Sequence, residues 1–389
     1  TFFPSMIEQD GVDAICKGEG DICFPKFLEH FGTDKMYEVN NLSFKLDGKN
    51  HKDNPITDLL TDLDSVPFPD RDLLYSENYF LAKVPIKAFF TGRGCPYNCS
   101  YCFNQAYNSM YKGKGSVLRI KGVSYLLEEI KDISRKYPLT FVKFHDDIFG
   151  AVKPWLVEFA TRYPKEIGLP FNCYVRPNMV TEEYCRLLKQ AGCYSVCMAI
   201  ESGNKELRNL VLERNLSNEQ ILSACENLKK FDLQILTLNM VGLPGETGKE
   251  IFETIQLNQQ AGIHYADASI FQPYPGTRIA EYCKKTGYLN DNVGKFESQY
   301  TVSILNFEPE FKFKVYVLHK LFAIIVDHPR LKLILGLIYK TRWLSFILDF
   351  VYKLYYGFYT HRRIFASVIP FTLRMYGAVL VIFAKDRGA

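Results

Sequence analysis

The chain has 389 residues, of which 47% are hydrophobic and 23% are charged, and its formal net charge is +4 at pH 7. This composition is that of a globular protein, which excludes a disordered or fibrous chain, and the length suffices for two or three compact units. The eleven cysteines, an odd number without the spacing of a disulfide framework, indicate a reducing cytoplasm.

The first 75 residues read as the end of a larger unit. The chain begins with Thr1, and no basic segment followed by an apolar run marks a secretory signal, so we expect an incomplete N-terminus. A Gly-Glu-Gly-Asp turn at residues 18–21 precedes an amphipathic stretch, and a linker rich in Pro and Asp, which includes Pro67 through Arg71, follows it. Taken as residues alone, these features are a turn and a linker.

The most informative motif lies in the stretch TGRGCPYNCSYCFN, which contains Cys95, Cys99 and Cys102. Thiolates at this spacing can converge on one soft metal centre, and three ligands instead of four leave a coordination position open for chemistry. A zinc ribbon would need a second cysteine or histidine pair, which the sequence lacks. Gly92 and Gly94 do not suit the interior of a core strand or helix. We therefore favour an iron–sulfur centre over structural zinc or core packing.

This loop resembles the signature of the radical S-adenosylmethionine (SAM) enzymes, C-x₃-C-x-aromatic-C, with Tyr101 in the aromatic position. The resemblance implies a 4Fe–4S cluster in which Cys95, Cys99 and Cys102 hold three of the irons and SAM binds the remaining one. It also implies that an electron transferred into the sulfonium of SAM cleaves a C–S bond and releases a 5′-deoxyadenosyl radical.

The N-terminal turn and linker resemble the end of the cobalamin-binding domain that precedes the barrel in many radical SAM enzymes. In those enzymes a G-E-G-E-like turn and a D-x-l-P-x-P-d-R linker recur in the same order before the cysteine loop. We accordingly assign residues 1–75 to the remnant of a Rossmann-like cobalamin-binding domain and its linker. The D-x-H-x-x-G pattern that supplies a cobalt-binding histidine in some cobalamin proteins is absent, so cobalamin binding by this chain stays an open question.

Residues 85 to 271 alternate short apolar runs with longer amphipathic ones, which favours a parallel sheet of βαβ units. The pattern contains six strands, too few for an eight-fold barrel. An α/β fold with a partial (β/α)₆ barrel over residues 76–300 fits, and it matches the core fold that the resemblance implies. One helix is predicted to begin at Thr181 and end at Gly192. Ligands of such sheets lie beyond the carboxyl ends of the strands, where the cysteine loop falls.

Two charged groups follow the second and third predicted strands. Asp146 stands beside Asp147, and adjacent carboxylates need solvent, a cation or hydrogen-bond donors. The resemblance places the SAM amino group near Asp146, and a solvated loop is the alternative. Arg176 carries a planar fork that suits the SAM carboxylate, whereas an ion pair with Glu201 or an aspartate is the structural alternative.

Two further turns follow the fourth and fifth strands. Glu201 and Ser202 lie where the family makes polar contacts to the ribose and methionyl parts of SAM, although Ser202 also suits a helix N-cap. Gly242 lies in MVGLPGET, a turn that borders the adenine in the family and that lacks the Lys-Ser/Thr ending of a phosphate-binding loop. No catalytic residue is assigned. The predicted cofactor-binding residues are Tyr101, Asp146, Arg176, Glu201, Ser202 and Gly242.

Residues 301–389 differ in composition, with 13 Lys+Arg against 5 Asp+Glu and 18 of the 57 aromatic residues of the chain. The apolar runs have a helical pattern, interrupted at Pro329 and near Gly357. No run of 18 or more apolar residues is free of charge, which argues against a spanning helix. We predict a helical unit. It either covers the barrel mouth as a lid or completes the core, and contact with a membrane surface through its basic and aromatic residues is the other interpretation.

The predicted function is that of a radical SAM enzyme of the cobalamin-domain class. Methyl transfer to an unactivated centre is preferred, oxidative cyclisation of a tetrapyrrole is the alternative, and a non-catalytic iron–sulfur electron carrier is a further one. We expect a cytoplasmic protein that acts on a small-molecule or lipid-like substrate. Contact of the C-terminal unit with a membrane surface is the other interpretation of its location. We also expect an external electron donor of the flavodoxin or ferredoxin type and no nucleic-acid partner.

Overall fold

The fold is built from three sheets and the helices that cover them. The computed structural model describes residues 4–46, 50–290, 299, 301–341, 343 and 345–366. The strands are β1 (Ala14–Cys16), β2 (Leu42–Lys45), β3 (His51–Asp53), β4 (Ile86–Phe89), β5 (Gly92–Arg93), β6 (Arg119–Ile120), β7 (Phe141–Phe144), β8 (Phe171–Val175), β9 (Cys193–Glu201), β10 (Gln234–Val241) and β11 (Tyr265–Ile270). The α-helices are α1 (Cys23–Glu29), α2 (Asp72–Tyr75), α3 (Tyr79–Lys83), α4 (Phe103–Met110), α5 (Val123–Lys136), α6 (Lys153–Glu166), α7 (Glu182–Ala191), α8 (Asn218–Lys230), α9 (Gly248–Ala261), α10 (Arg278–Lys285), α11 (Pro309–Asp327), α12 (Leu335–Lys340) and α13 (Ser345–Tyr359).

The central sheet has six strands in the order β11-β10-β9-β8-β7-β4. Every neighbouring pair is parallel, and a helix follows each strand along the chain. This confirms the predicted α/β class with a parallel sheet. The carboxyl ends of all six strands therefore meet at one edge, which is where such sheets bind their ligands.

The main apolar core lies between this sheet and helices α5 to α8. Phe144 of β7 is its centre, because its ring centroid lies 4.9 Å from that of Phe149, 5.7 Å from Phe159 and 5.3 Å from Phe171. Each fully buried phenylalanine contributes about 1.5–3 kcal/mol to folding relative to an exposed one. The strand ends above this core are thus held by close packing.

Helix α7 begins and ends where the sequence predicts. The Oγ1 of Thr181 accepts a hydrogen bond from the backbone N–H of Tyr184 at 3.2 Å, which caps the first turn. The helix then ends at Gly192, in the left-handed conformation that closes many helices. Local signals were sufficient here because capping depends only on neighbouring residues.

The N-terminal unit contains a small antiparallel sheet in the order β1-β2-β3. Its core is formed by Cys23, Val39, Leu42 and Phe44. No parallel pair of strands occurs among the described residues of this unit, so its assignment to a Rossmann-like cobalamin-binding domain stays a prediction.

The described part of the C-terminal unit is helical, as predicted. A lid was expected over the carboxyl ends of the strands, but this part of the unit ends at their amino ends. The carbonyl of Ile364 accepts a hydrogen bond from Ser195 Oγ at 2.7 Å, and the ring of Phe365 lies 5.7 Å from that of Phe141. Ser195 and Phe141 lie at the amino ends of their strands. Residues 360–366 therefore close the amino end of the sheet, and the expectation of a lid over the mouth is wrong for this part of the unit.

Helix α11 packs against α9 and β11 and extends the apolar core to the β11 edge of the sheet. Trp343 and Leu337 nearby are exposed. Among the helices of the described residues, none combines the length and the apolar character that crossing a membrane requires. Membrane-surface contact through this unit stays a prediction.

Candidate active site

The three cysteines lie on a loop at the carboxyl edge of the central sheet. This loop follows β4 and the short strand β5, and α4 begins immediately after Cys102. The backbone N–H of Cys102 donates to the carbonyl of Cys99 at 3.1 Å. Cys99 is buried, whereas Cys95 and Cys102 are partly exposed, and all eleven cysteines of the chain are free thiols. The loop thus lies at the edge where the sequence places it.

Burial disfavours the thiolate forms of Cys95 and Cys102 in the metal-free chain. Burial raises the pKa of Cys95 to about 11, and the charges of Asp147, Cys102 and Cys99 raise it further against a backbone hydrogen bond that lowers it. Burial also raises the pKa of Cys102. The charges of Cys99 and Cys102 both raise the pKa of Cys95, and that of Cys99 also raises the pKa of Cys102. A metal centre would be needed to hold them as thiolates.

No three His, Cys, Asp or Glu side chains in the described ranges are arranged to hold a single metal ion. A mononuclear site would require such convergence. A cluster in which each thiolate binds its own iron does not, because the sulfur ligands then surround several metal atoms instead of one. The cysteine loop offers three sulfur donors, a donor set that an iron–sulfur cluster can use, and the cluster itself stays a prediction.

Strand β5 pairs with β6 in an antiparallel ribbon that the sequence analysis did not find. Gly94, the residue between this ribbon and Cys95, has a φ of +84°, and a Cβ on it would lie 2.0 Å from the carbonyl oxygen of Val117. Only glycine fits this contact. The ribbon consequently fixes the direction in which the chain enters the cysteine loop.

Asp146 lies at the carboxyl end of β7 and organises the turn before the cysteine loop. Its Oδ1 accepts three hydrogen bonds of 2.8 Å, from the backbone N–H and hydroxyl of Thr91 and from the backbone N–H of Gly92. Its Oδ2 is buried and has no hydrogen-bond partner among the residues that the structure describes. Burial raises the pKa of Asp146 to about 6, although these hydrogen bonds lower it. A donor from a bound ligand would satisfy this oxygen.

Tyr101 and Glu201 are in direct contact, and both meet Arg214, a residue that the sequence analysis missed. The hydroxyl of Tyr101 donates to Glu201 Oε1 at 2.8 Å, and Arg214 Nη1 lies 3.4 Å from the same oxygen. Arg214 also donates to the Tyr101 hydroxyl and, at 2.8 Å, to the carbonyl of Ala199. Burial raises the pKa of Glu201, while Arg214 and then Tyr101 lower it. Glu213 and Asn215, on either side of Arg214, have positive φ angles, so the structure holds Arg214 in a constrained turn.

Arg176 is buried beside the cysteine loop and is already engaged by the chain. Its guanidinium lies 3.8 Å from the ring centroid of Tyr97, and it donates to Asn178 at 2.7 Å and to the carbonyl of Arg214. These residues, together with Arg278, line a polar cavity of about 340 Å³. Within the described ranges Arg176 thus makes neither of the ion pairs considered as alternatives, and its contact to SAM stays a prediction.

Ser202 and Gly242 lie at the predicted strand ends but serve the fold in ways that the sequence did not reveal. Ser202 is fully buried, and its hydroxyl accepts from the N–H of Asn204 at 3.2 Å. A Cβ on Gly242 would lie 3.1 Å from the side chain of Val315 of α11. The backbone N–H of Gly242 donates to Glu246 Oε2 at 2.5 Å. The glycine is therefore explained by helix packing, and an adenine contact stays a prediction. Burial raises the pKa of Glu246 to about 8, and its Oε1 has no hydrogen-bond partner in the described part of the chain.

The face of the sheet opposite the helices carries partly exposed polar groups between the cysteine loop and residues 360–366. Leu238 of β10 pairs with Ala199 on one side and Asp267 on the other, so these three lie in one row. Burial raises the pKa of Asp267 to about 7. The ring centroid of His145, which follows β7, lies 5.5 Å from that of Tyr174 in the neighbouring strand β8.

Residues 89–257 match the family model described as the radical SAM superfamily. The chain is 30% identical over 286 residues to an uncharacterized methyltransferase of Pyrococcus horikoshii, covering 72% of this chain and 61% of that protein.

Two solved structures resemble the fold. The cobalamin-dependent SAM radical enzyme OxsB, with aqua-cobalamin and SAM bound, gives a TM-score of 0.63 at 15% identity over 97% of this chain and 60% of that one. The radical SAM methyltransferase TsrM from Kitasatospora setae, with cobalamin and a [4Fe-4S] cluster bound, gives a TM-score of 0.58 at 16% identity. The match covers 74% of this chain and 57% of the TsrM chain. At these identities the likeness shows the fold. The chain spans about three fifths of the length of all three proteins.

Proposed function

Because this chain belongs to the radical SAM superfamily, we propose that it is an enzyme that uses a 4Fe–4S cluster and SAM to transfer a methyl group to an unactivated centre of a small molecule. The observation that carries the proposal is the position of Cys95, Cys99 and Cys102, within the matched residues 89–257 and at the carboxyl edge of the parallel sheet. When bound, the cluster supplies an electron that cleaves a C–S bond of SAM.

The residues around the loop have separate tasks in this proposal. The three cysteines bind three irons and leave one iron for SAM. Asp146 holds the loop through Oδ1, and its unpartnered Oδ2 accepts from the SAM amino group. Tyr101 and Glu201 hold the loop against the end of β9.

Methyl transfer is supported by the name of the Pyrococcus relative and by that of TsrM, both of which are methyltransferases. Cobalamin is a second proposed cofactor, since both structural neighbours contain it. The N-terminal residues of this chain do not supply the D-x-H-x-x-G histidine, so no step is assigned to cobalamin here.

The substrate is proposed to bind on the sheet face that carries Asp267, beyond the cysteine loop. A carboxyl group with a pKa of about 7 accepts hydrogen bonds from a hydroxyl or amine, and Leu238 lies beside Asp267 on the neighbouring strand. The electron is proposed to come from an external flavodoxin or ferredoxin. The eleven free thiols agree with a reducing compartment.

The proposal is tested by anaerobic reconstitution with iron and sulfide, followed by SAM and a reductant. We expect a reduced cluster whose EPR signal changes on addition of SAM, and formation of S-adenosylhomocysteine together with 5′-deoxyadenosine. 5′-Deoxyadenosine without S-adenosylhomocysteine would favour an oxidative reaction such as cyclisation. An unchanged EPR signal would instead indicate an electron carrier.

Two cysteine variants are the matched pair for this experiment. Cys99→Ala removes a proposed cluster ligand, whereas Cys225→Ala removes an equally buried thiol of α8 in the main core. We expect the nucleoside products from Cys225→Ala and none from Cys99→Ala. If Cys99→Ala still produced 5′-deoxyadenosine, the cluster assignment would be wrong.

A further inference from the structure

The N-terminal unit contacts the β5–β6 ribbon through the turn at residues 18–21, which we call the acidic turn. Asp21 accepts two hydrogen bonds from Arg93 of β5, at 2.6 and 2.9 Å, so the carboxylate and the guanidinium form a bidentate pair. Arg93 Nη1 also lies 3.4 Å from Glu19. Bidentate pairs of this kind fix geometry as well as adding energy.

Glu19 forms a second bidentate pair on the other strand of the ribbon. Its two carboxylate oxygens accept from Arg119 of β6 at 2.7 and 2.8 Å, and Oε1 also accepts from the hydroxyl of Tyr107 at 2.8 Å. The Arg119 side chain is only 3% exposed. Burial raises the pKa of Glu19, but the hydrogen bonds from Arg119 and Tyr107 and the two arginine charges lower it overall, so the group is ionised at neutral pH.

The backbone of the acidic turn is fitted to helix α4. The N–H of Glu19 donates to the hydroxyl of Tyr111 at 2.9 Å, and a Cβ on Gly18 would lie 1.9 Å from that same oxygen. Tyr107 and Tyr111 lie one turn apart on this side of the helix, with ring centroids separated by 4.8 Å. The turn is therefore in contact with both the ribbon and the helix.

These contacts bracket the cysteine loop. Arg93 stands two residues before Cys95, and α4, which carries Tyr107, begins directly after Cys102. One short turn, distant in sequence from the loop, thus binds the segment that enters it and the helix that leaves it. A displacement of the acidic turn would change the separation of the two ends of the loop.

We propose that Glu19 and Asp21 are positioning residues that hold the two ends of the cysteine loop at the separation the cluster requires and so couple the N-terminal unit to the metal centre. This inference rests on the proposed function, because it needs a cluster on the loop. Neither residue touches the cluster or the substrate.

The test uses Asp21→Asn, Glu19→Gln and the exchange Asp21→Arg with Arg93→Asp in the reconstituted chain. Loss of iron to a chelator and the EPR spectrum of the reduced cluster are measured for each. We expect each single variant to lose iron about tenfold faster, because the neutral amide gives up the charge of the bidentate pair with its arginine. We also expect a shifted or broadened EPR signal, and partial recovery of both properties in the exchange variant.

Asp53→Asn is the matched control, because Asp53 pairs with Lys17 in the same N-terminal unit at 2.6 Å and does not contact the ribbon. Tyr107→Phe, which removes a single hydroxyl, serves if a charge variant fails to fold. If the single variants retained the iron-loss rate and EPR spectrum of the parent chain, this inference would be overturned while the cluster assignment remained. A parent chain that binds no cluster would instead overturn the proposed function.

Discussion

Tyr101, the aromatic residue between the second and third cysteines, donates its hydroxyl hydrogen to Glu201 at the end of β9, over a distance of 2.8 Å. The sequence placed both residues in a cofactor-binding set, and the structure places them against each other. Arg214 completes the group, and all three side chains are buried or nearly so. The contact ties the cysteine loop to the fourth strand of the central sheet along the chain.

The first prediction concerns the charge balance of this group. Arg214→Ala leaves the Glu201 carboxylate buried without its cation, and breaking such a pair costs about 3–5 kcal/mol of unfolding free energy. Tyr101→Phe removes the hydrogen bond to Glu201 and the one from Arg214 but leaves the ion pair, so we expect a smaller loss, of about 1–2 kcal/mol. Urea unfolding of the metal-free chain measures both. Equal losses in the two variants would contradict the assigned ion pair.

The second prediction concerns the approach of Gly94 to Val117. Gly94→Ala places a Cβ 2.0 Å from a backbone oxygen and must open the β5–β6 ribbon. We expect iron content after reconstitution to fall severalfold. Gly113→Ala is the control, since Gly113 also has a positive φ, of +77°, and a Cβ there meets nothing within 4 Å. Both variants carry the same backbone strain of about 1–2 kcal/mol, so a difference between them reports the steric contact alone.

Much of the fold could be predicted because the information is local. The six strands of the central sheet are apolar runs between amphipathic helices, and the caps of α7 depend on Thr181 and on Gly192. The cysteine spacing located the loop, and the parallel order of the strands then placed it at the carboxyl edge. In each case a few neighbouring residues carry the signal.

The contacts that were missed join residues distant in sequence. Glu19 and Arg119 are 100 positions apart, and the β5–β6 ribbon is too short to show a strand pattern. Arg214 lies in a loop with no periodicity, so its pairing with Glu201 had no sequence signal beyond its charge. Residues 360–366 pack at the end of the sheet where apolar side chains are left to be covered. The amino-acid composition of the segment does not show which end that is.

The third prediction is a pH dependence of stability through Glu246. Its pKa is raised by burial from 4.5 to about 8, so between these values the folded chain keeps a proton that the unfolded chain has lost. Stability contributed by this group is therefore present at low pH and is lost as the pH rises, by at most about 1.4 kcal/mol per pH unit. Glu246→Gln cannot titrate and can still accept from Gly242. We expect its unfolding free energy to fall less between pH 5 and 8.

Glu246→Ala separates this titration from the hydrogen bonds of the turn. It leaves the N–H groups of Gly242 and Leu243 without an acceptor, so we expect a loss of about 1–3 kcal/mol at pH 5. Glu246→Gln should lose little at that pH. If the parent chain and Glu246→Gln showed the same pH slope, Glu246 would not be the titrating group.

The fourth prediction separates the two oxygens of Asp146. Asn in its place retains an oxygen that can accept from Thr91 and Gly92, but it replaces the unpartnered Oδ2 with an NH₂ donor. We expect Asp146→Asn to bind the cluster and to bind SAM about 10- to 100-fold more weakly, as the loss of a charge-assisted hydrogen bond implies. Asp146→Ala loses the loop contacts as well and should bind less iron. Titration of the EPR signal with SAM measures the affinity. If instead Asp147→Asn weakened SAM binding and Asp146→Asn did not, the contact to the amino group would belong to the neighbouring carboxylate.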